Sequence, residues 1–84
     1  MPYYLYIIQS AMDDSFYIGS TQNLDERLAR HNQGRSKFTK PKRPWNLVYH
    51  EEHPDRSSAM KREYAIKRKK SKDYIKSLIK DGSP

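Results

Sequence analysis

The chain has 84 residues, no cysteine, and seventeen Lys+Arg against ten Asp+Glu, for a formal charge of +7 at pH 7. That size predicts one domain over residues 1–84 with a thin core, and the composition excludes disulfide scaffolds and thiolate metal sites. No run approaches the ~20 apolar residues of a membrane span and no basic leader precedes an apolar segment, so the expectation is a cytoplasmic protein without membrane association, whose excess charge meets a polyanion such as nucleic acid.

Tyr3 to Gln9 and Phe16 to Gly19 are rich in aromatic and β-branched residues, and "AMDDS" between them has turn composition, which predicts a β-hairpin. Asn23 with Glu26 three residues later reads as a capping box. Gly34 suits the position just past a helix, so Leu24 to Gln33 is predicted helical. Arg35, Lys37, Lys40, Lys42 and Arg43 then fall in one loop that holds no acid and is broken by Pro41 and Pro44. "WNLVYHEEH" alternates, predicting a strand from about Asn46 to His53 that Pro54 ends. Ser57 is expected to cap a second helix reaching about Lys69, which closes on the basic run Lys67-Arg68-Lys69-Lys70. Ser71 is expected to cap a third, Lys72 to Lys80, whose Tyr74, Ile75, Leu78 and Ile79 form an apolar stripe at helical spacing. The order ββαβαα describes an α+β fold, a small sheet covered by helices.

Side-chain directions turn this layout into a candidate site. A hairpin register pairing Tyr6 with Tyr17 puts both phenols on one sheet face, with Gly19 beside them. Cross-strand aromatic pairs also stabilise sheets by themselves, so the pair alone does not imply chemistry. On the first helix Leu24, Arg27, Leu28 and His31 share a face, which turns Arg27 and His31 toward the sheet, while Asp25, Glu26, Ala29 and Arg30 point away. On the second, Ala59, Met60, Tyr64 and Ile66 form the expected inward stripe with Glu63 in its middle. A carboxylate facing a core needs a cation, a metal or hydrogen-bond donors. A structural ion pair of Glu63 with Arg27 or Lys67 answers that need as well as a metal does. His50 and His53 are read as surface or strand-end residues on opposite sides of a strand. Trp45 is read either as a core plug or, with Phe38, as a base-stacking group.

Hydrolysis of a phosphodiester needs a base for water, positive charge on the equatorial oxygens and an anchor for a divalent ion. Tyr6, Tyr17, Arg27, His31 and Glu63 can supply these. A phenol needs a nearby cation or metal-bound water to act as a base, since its ordinary pKa is ~10. One inward carboxylate implies one ion. Mg²⁺, content with a single carboxylate plus water and substrate oxygens, suits it.

"YLY" at Tyr4-Leu5-Tyr6, "YIG" at Tyr17-Ile18-Gly19, "LDERLARHN" with Arg27 and His31, and "MKREYAIK" with Glu63 together resemble the GIY-YIG nuclease superfamily, in particular its small stand-alone bacterial members. The ordered match runs from about Tyr4 to Lys69. It implies a metal-dependent endonuclease domain with a three-stranded antiparallel sheet flanked by helices. By that resemblance Tyr17 is the general base or water-positioning group and Tyr6 supports the nucleophile. Arg27 binds the scissile phosphate, His31 assists, and Glu63 holds one Mg²⁺ or Mn²⁺. Three departures stand out: Tyr4 replaces a glycine, Ser20 stands where some members have a lysine, and no asparagine follows Asn46 although many members carry one after the metal-binding glutamate. Lys37, Lys40, Lys42, Arg43 and Lys67 are the expected nucleic-acid contacts. The implied partner is DNA, with branched or damaged forms among the candidates and a separate targeting protein a further one. The alternative is a non-catalytic basic DNA- or RNA-binding domain on the same scaffold.

Overall fold

The structure, a computed structural model, describes residues 2–81. Strands β1 (Tyr3–Ser10), β2 (Phe16–Thr21) and β3 (Trp45–His53) and helices α1 (Leu24–Asn32), α2 (Arg56–Lys69) and α3 (Lys72–Asp81) follow the expected order, with a short 3-10 turn at Lys40–Lys42. The sheet is antiparallel with strand order β2-β1-β3. β1 is therefore central and covered on both faces, which is why its "LYII" run is continuously apolar and Leu5, Tyr6, Ile7 and Ile8 are all buried. Each such aliphatic side chain contributes about 1.5–3 kcal/mol of burial.

The two faces carry different cores. Leu5, Ile7, Ile18 and Tyr49 pack against Ile66 of α2 and Ile75 of α3, with Tyr74, Leu78 and Ile79 completing the predicted α3 stripe. Tyr6, Ile8 and Trp45 pack on the other face with Tyr17 and with Leu24 and Leu28 of α1. Trp45 is thus a core residue, with its indole N–H donating to the Thr39 carbonyl at 2.8 Å.

The hairpin register differs from the expected one. Tyr6 faces Gly19 and Tyr17 faces Ile8, so the two tyrosines share a face as diagonal neighbours rather than as a direct pair. Side chains in the turn enlarge the loop: Ser10 Oγ accepts from the amides of Met12 and Asp13, Asp13 accepts from Ser15, and Asp14 adopts φ 64°. The resulting Tyr6–Gly19 pairing lets the phenol lie across β2. A Cβ at Gly19 would meet Tyr6 Oη at 2.6 Å.

Local caps behave as physical chemistry demands, with one change. Asn23 accepts from Glu26 N, Gly34 takes φ 78° after α1, and Ser71 Oγ accepts from Tyr74 N. α2 is capped by Asp55, which accepts from Ser58 N, and not by Ser57; a carboxylate after Pro54 outcompetes a hydroxyl already inside the helix. α1 is tied to β3 by its last residue. Asn32 donates to the Trp45 carbonyl at 3.0 Å and accepts from the Trp45 amide at 2.6 Å.

Candidate active site

The site grows from the α1 face of the sheet. β1 and β2 hold Tyr6 and Tyr17 with ring centroids 6.4 Å apart, and α1 brings His31 to 6.0 Å from Tyr6 and 4.9 Å from Tyr17. Tyr6 is 2% and His31 4% exposed, so their polar atoms need internal partners. Tyr6 Oη lies 2.9 Å from His31 Nε2, and His31 Nδ1 lies 2.8 Å from Thr39 Oγ1. Burial first, then the charges of Arg27 and Arg30, push the His31 pKa down, so its ring is neutral at pH 7 and donates with one nitrogen while accepting with the other. Arg27 beside Tyr6 offers only donors. The arrangement that satisfies all groups has Tyr6 O–H donating to Nε2 and Nδ1–H donating to Thr39, with the phenol oxygen left to accept from Arg27.

Burial and then the neighbouring Tyr17 push the Tyr6 pKa to about 12; Arg27 opposes the rise and the charge of Glu63 adds to it. Tyr6 is therefore a fixed, neutral phenol. Tyr17 is only partly buried and lines an open cleft of about 340 Å³ together with Arg27, Arg30, His31, Arg35 and Ser36. Among the described residues no carboxylate forms an ion pair with any of these three arginines. Such a cleft is built for an anion larger than a single carboxylate.

Glu63 does not line the arginine cleft: it lines a separate groove along α2 with Met60, Tyr64 and Lys67, and only its charge acts on Tyr6, as the weakest of the influences there. Its carboxylate accepts from Lys67 Nζ at 2.7 Å and its side chain is 21% exposed. The inward stripe of α2 differs from the expected one: Ala59 and Ile66 are buried and Arg62 and Glu63 half-buried, whereas Met60 and Tyr64 are 48% and 65% exposed. Polar residues take the inner positions because partners await them there. Arg62 bonds both carboxylate oxygens of Glu51 at 3.1 Å, and Glu51 also receives His53 and the Tyr49 hydroxyl. Burial pushes the Glu51 carboxyl up, yet the bonds from Arg62, Tyr49 and His53 outweigh it and hold the group below its ordinary range.

The expected nucleic-acid contacts divide. Lys37 and Lys40 are exposed and form no ion pair among the described residues. Lys42 is engaged with Asp13 at 3.3 Å and Ser15 at 3.1 Å, Arg43 donates to the Lys40 carbonyl while its guanidinium lies against Gly34, and Lys67 holds Glu63. These three already have partners within the protein. Arg30, expected to point away, lines the cleft instead, because the loop carrying Arg35 folds back so that Arg35 N bonds the Arg30 carbonyl. Thr39 carried no sequence signal, since a lone threonine in a basic loop gives no hint of a partner eight positions back. His50 is half-buried rather than fully on the surface: it is paired with Tyr6 across the sheet, its ring meets Tyr4 edge-on at 6.3 Å, and its Nδ1 is buried without a hydrogen-bond partner among the described residues.

Residues 2–76 match the GIY-YIG catalytic domain family. The chain is similar to a UPF0213 protein of Lactiplantibacillus plantarum, 44% identical over 79 residues covering 90% of this chain and 77% of that one. It is also similar to a UPF0213 protein of Staphylococcus haemolyticus, 47% identical over 66 residues covering 77% and 79% of the two chains. Among solved structures, the solution NMR structure of a UPF0213 protein from Bacillus halodurans superposes with a TM-score of 0.61 at 32% identity, covering 100% of this chain and 89% of that one. The three-stranded antiparallel sheet with three helices matches the fold of that solved structure.

Proposed function

Because the chain belongs to the GIY-YIG catalytic domain family, a nuclease superfamily, we propose that it is a metal-dependent endonuclease hydrolysing phosphodiester bonds in DNA with one divalent ion. The observation that carries this reading is the cleft in which Tyr17, Arg27 and His31 meet with two further uncommitted guanidiniums. Tyr17 packs on the core with one side and lines the cleft with the other, which places its phenol beside the arginines.

In this reading Arg27 grips the scissile phosphate, with the charge spread over its equatorial oxygens met by the guanidinium fork. Tyr17, the phenol open to the cleft, orients the attacking water and, in its phenolate form, accepts the water's proton. Tyr6 stays neutral, donates to His31 and keeps Arg27 and Tyr17 in place. His31, with both ring nitrogens committed to Tyr6 and Thr39, assists by holding the two phenols in place. Glu63 is the residue that would hold Mg²⁺ or Mn²⁺. A hard cation that keeps its waters suits such a site, since it needs only one carboxylate together with substrate oxygens. When bound, the ion supplies positive charge at the leaving oxygen. Lys67 bonds only Oε2 of Glu63, which leaves Oε1 to face an ion.

The same Lys67–Glu63 pair is what favours the second reading, a basic DNA- or RNA-binding domain without efficient cleavage. Nicking of supercoiled plasmid and cleavage of branched and nicked duplexes, with Mg²⁺, Mn²⁺ or EDTA, decide between them. The parent should cut with metal, and Glu63→Gln and Tyr17→Phe should each cut at least ~10²-fold more slowly while binding DNA as the parent does. A parent that binds but never cuts, or variants that cut as fast as the parent, would sink the nuclease reading. Cytoplasmic action and selection of branched or damaged DNA with help from a separate targeting protein belong to this proposal. Among the described residues no helix is long and apolar enough to cross a membrane.

A further inference from the structure

Phe38 is 83% exposed, more than any other large apolar side chain among the described residues. A single exposed apolar residue is ordinary on a protein surface. Its surroundings are not. The residue next to it, Thr39, is 1% exposed and pinned twice, by His31 Nδ1 at 2.8 Å and through its carbonyl by the Trp45 indole at 2.8 Å. Lys40 N bonds the Ser36 carbonyl at 2.9 Å, closing one turn around Phe38. The ring is therefore presented outward by a turn that is fastened to the site. Among the described residues the other exposed aromatic, Tyr64, carries Arg68 over its face at 5.6 Å, and no cation lies so over Phe38.

Position and charge say what would cover it. Ser36 lines the arginine cleft, and Phe38 is two residues further, within about 7.6 Å along the backbone. Lys37 and Lys40 flank the ring, and no acid occurs between Arg35 and Arg43. An exposed phenyl ring two residues from the arginine cleft, on a loop whose Lys37 and Lys40 form no ion pair among the described residues, matches the base and backbone of one nucleotide strand: cations follow the phosphates and the ring takes a base face. In a continuous duplex both faces of each base are already stacked. Only a base that is unpaired or splayed offers one.

We propose that Phe38 is a base-stacking residue and that the cleft takes a DNA strand unpaired beside the phosphate held by Arg27, with Arg30 and Arg35 on the flanking phosphates. This rests on the nuclease reading for the place of the scissile bond. It sets selection by strand structure rather than by sequence, because stacking and phosphate contacts read no base identity.

The test is equilibrium binding in EDTA, read by anisotropy of a fluorescein-labelled single-stranded 20-mer, the blunt duplex of the same sequence and a forked duplex. The parent should prefer the single strand and the fork. Phe38→Ala should weaken both by about 5- to 150-fold, the range of one base–aromatic stack, and weaken the duplex less than twofold. Phe38→Trp should retain the preference, with its new indole fluorescence quenched by the single strand and not by the duplex. Phe38→Leu, apolar without a π face, should behave as Phe38→Ala. Equal losses on all three ligands, no loss, parent-like binding by Phe38→Leu, or a parent that prefers the blunt duplex would each overturn the proposal. Since no metal is present, a protein that fails to cut can still pass this test, and one that cuts can still fail it.

Discussion

The two faces of the sheet contain similar polar chemistry put to different ends. On the α2/α3 face, Glu51 is bound by Arg62, His53 and Tyr49, and Arg62 also reaches the Tyr74 hydroxyl at 3.5 Å. Acid and base there neutralise each other above an aliphatic core. On the α1 face, Arg27, Arg30 and Arg35 surround a phenol and an imidazole with no carboxylate paired to any of them among the described residues. Charge that is matched internally holds a fold together; charge left unmatched around an oriented titratable group is available to a ligand. The comparison teaches that tyrosine, histidine and arginine by themselves mark neither role, and that the state of their partners does.

Substitutions can break this comparison or sharpen it. The largest effect is expected at Arg27→Ala, with cleavage of plasmid DNA falling about 10²- to 10³-fold while thermal unfolding stays within a few degrees of the parent. A large drop in Tm would move Arg27 to the structural class. Arg62→Ala should do the reverse. Glu51 is only 20% exposed, so stranding it should cost about 2–3 kcal/mol, at about 4–8 °C of Tm per kcal/mol, with cleavage per folded molecule unchanged well below Tm. Gly19→Ala should blur the two classes, since its Cβ forces the Tyr6 phenol aside: about 1–2 kcal/mol of stability and a cleavage loss beyond what unfolding explains, compared by calorimetry and single-turnover rates.

The smallest expected effect is on pH dependence. The folded pKa of His31 lies below its unfolded value of ~6.5, so the unfolded chain takes up a proton first on acidification. His31 then contributes stability above about pH 6.5 that is lost as pH falls through its folded value. Tyr6 works at the other end: its contribution is complete below ~10 and is lost as pH rises toward about 12. Tm measured from pH 5 to 8 should slope upward with pH, and His31→Gln should flatten the acid limb relative to its own Tm at pH 8. An unchanged slope would show that His31 is not the group responsible.

Much of the fold was legible because it follows from local rules. Asn23, Gly34 and Ser71 act through bonds within a few residues, and strand alternation and the α3 stripe need only a period. The α1 face carrying Arg27 and His31 followed from the same 100° step. What failed depends on partners far along the chain. Met60 and Tyr64 outrank Arg62 on apolarity, yet Glu51, eleven residues back, draws Arg62 inward. The hairpin register turned on Ser10 and Asp13 bonding inside the turn, and its consequence, Tyr6 lying over Gly19, depends on the absence of a side chain there. Thr39 and Arg30 joined the site only because the loop after α1 folds back, which no spacing reveals.

The amide of Asn32 meets both outward-facing backbone groups of Trp45 much as a neighbouring strand's peptide would. β3 lies at the border of the sheet, where a row of open donors and acceptors invites another chain to add on. With its first residue already satisfied by a side chain, that border has no starting point at this end for edge-to-edge self-association. One carboxamide thereby does for the first residue of that border what an added strand would do.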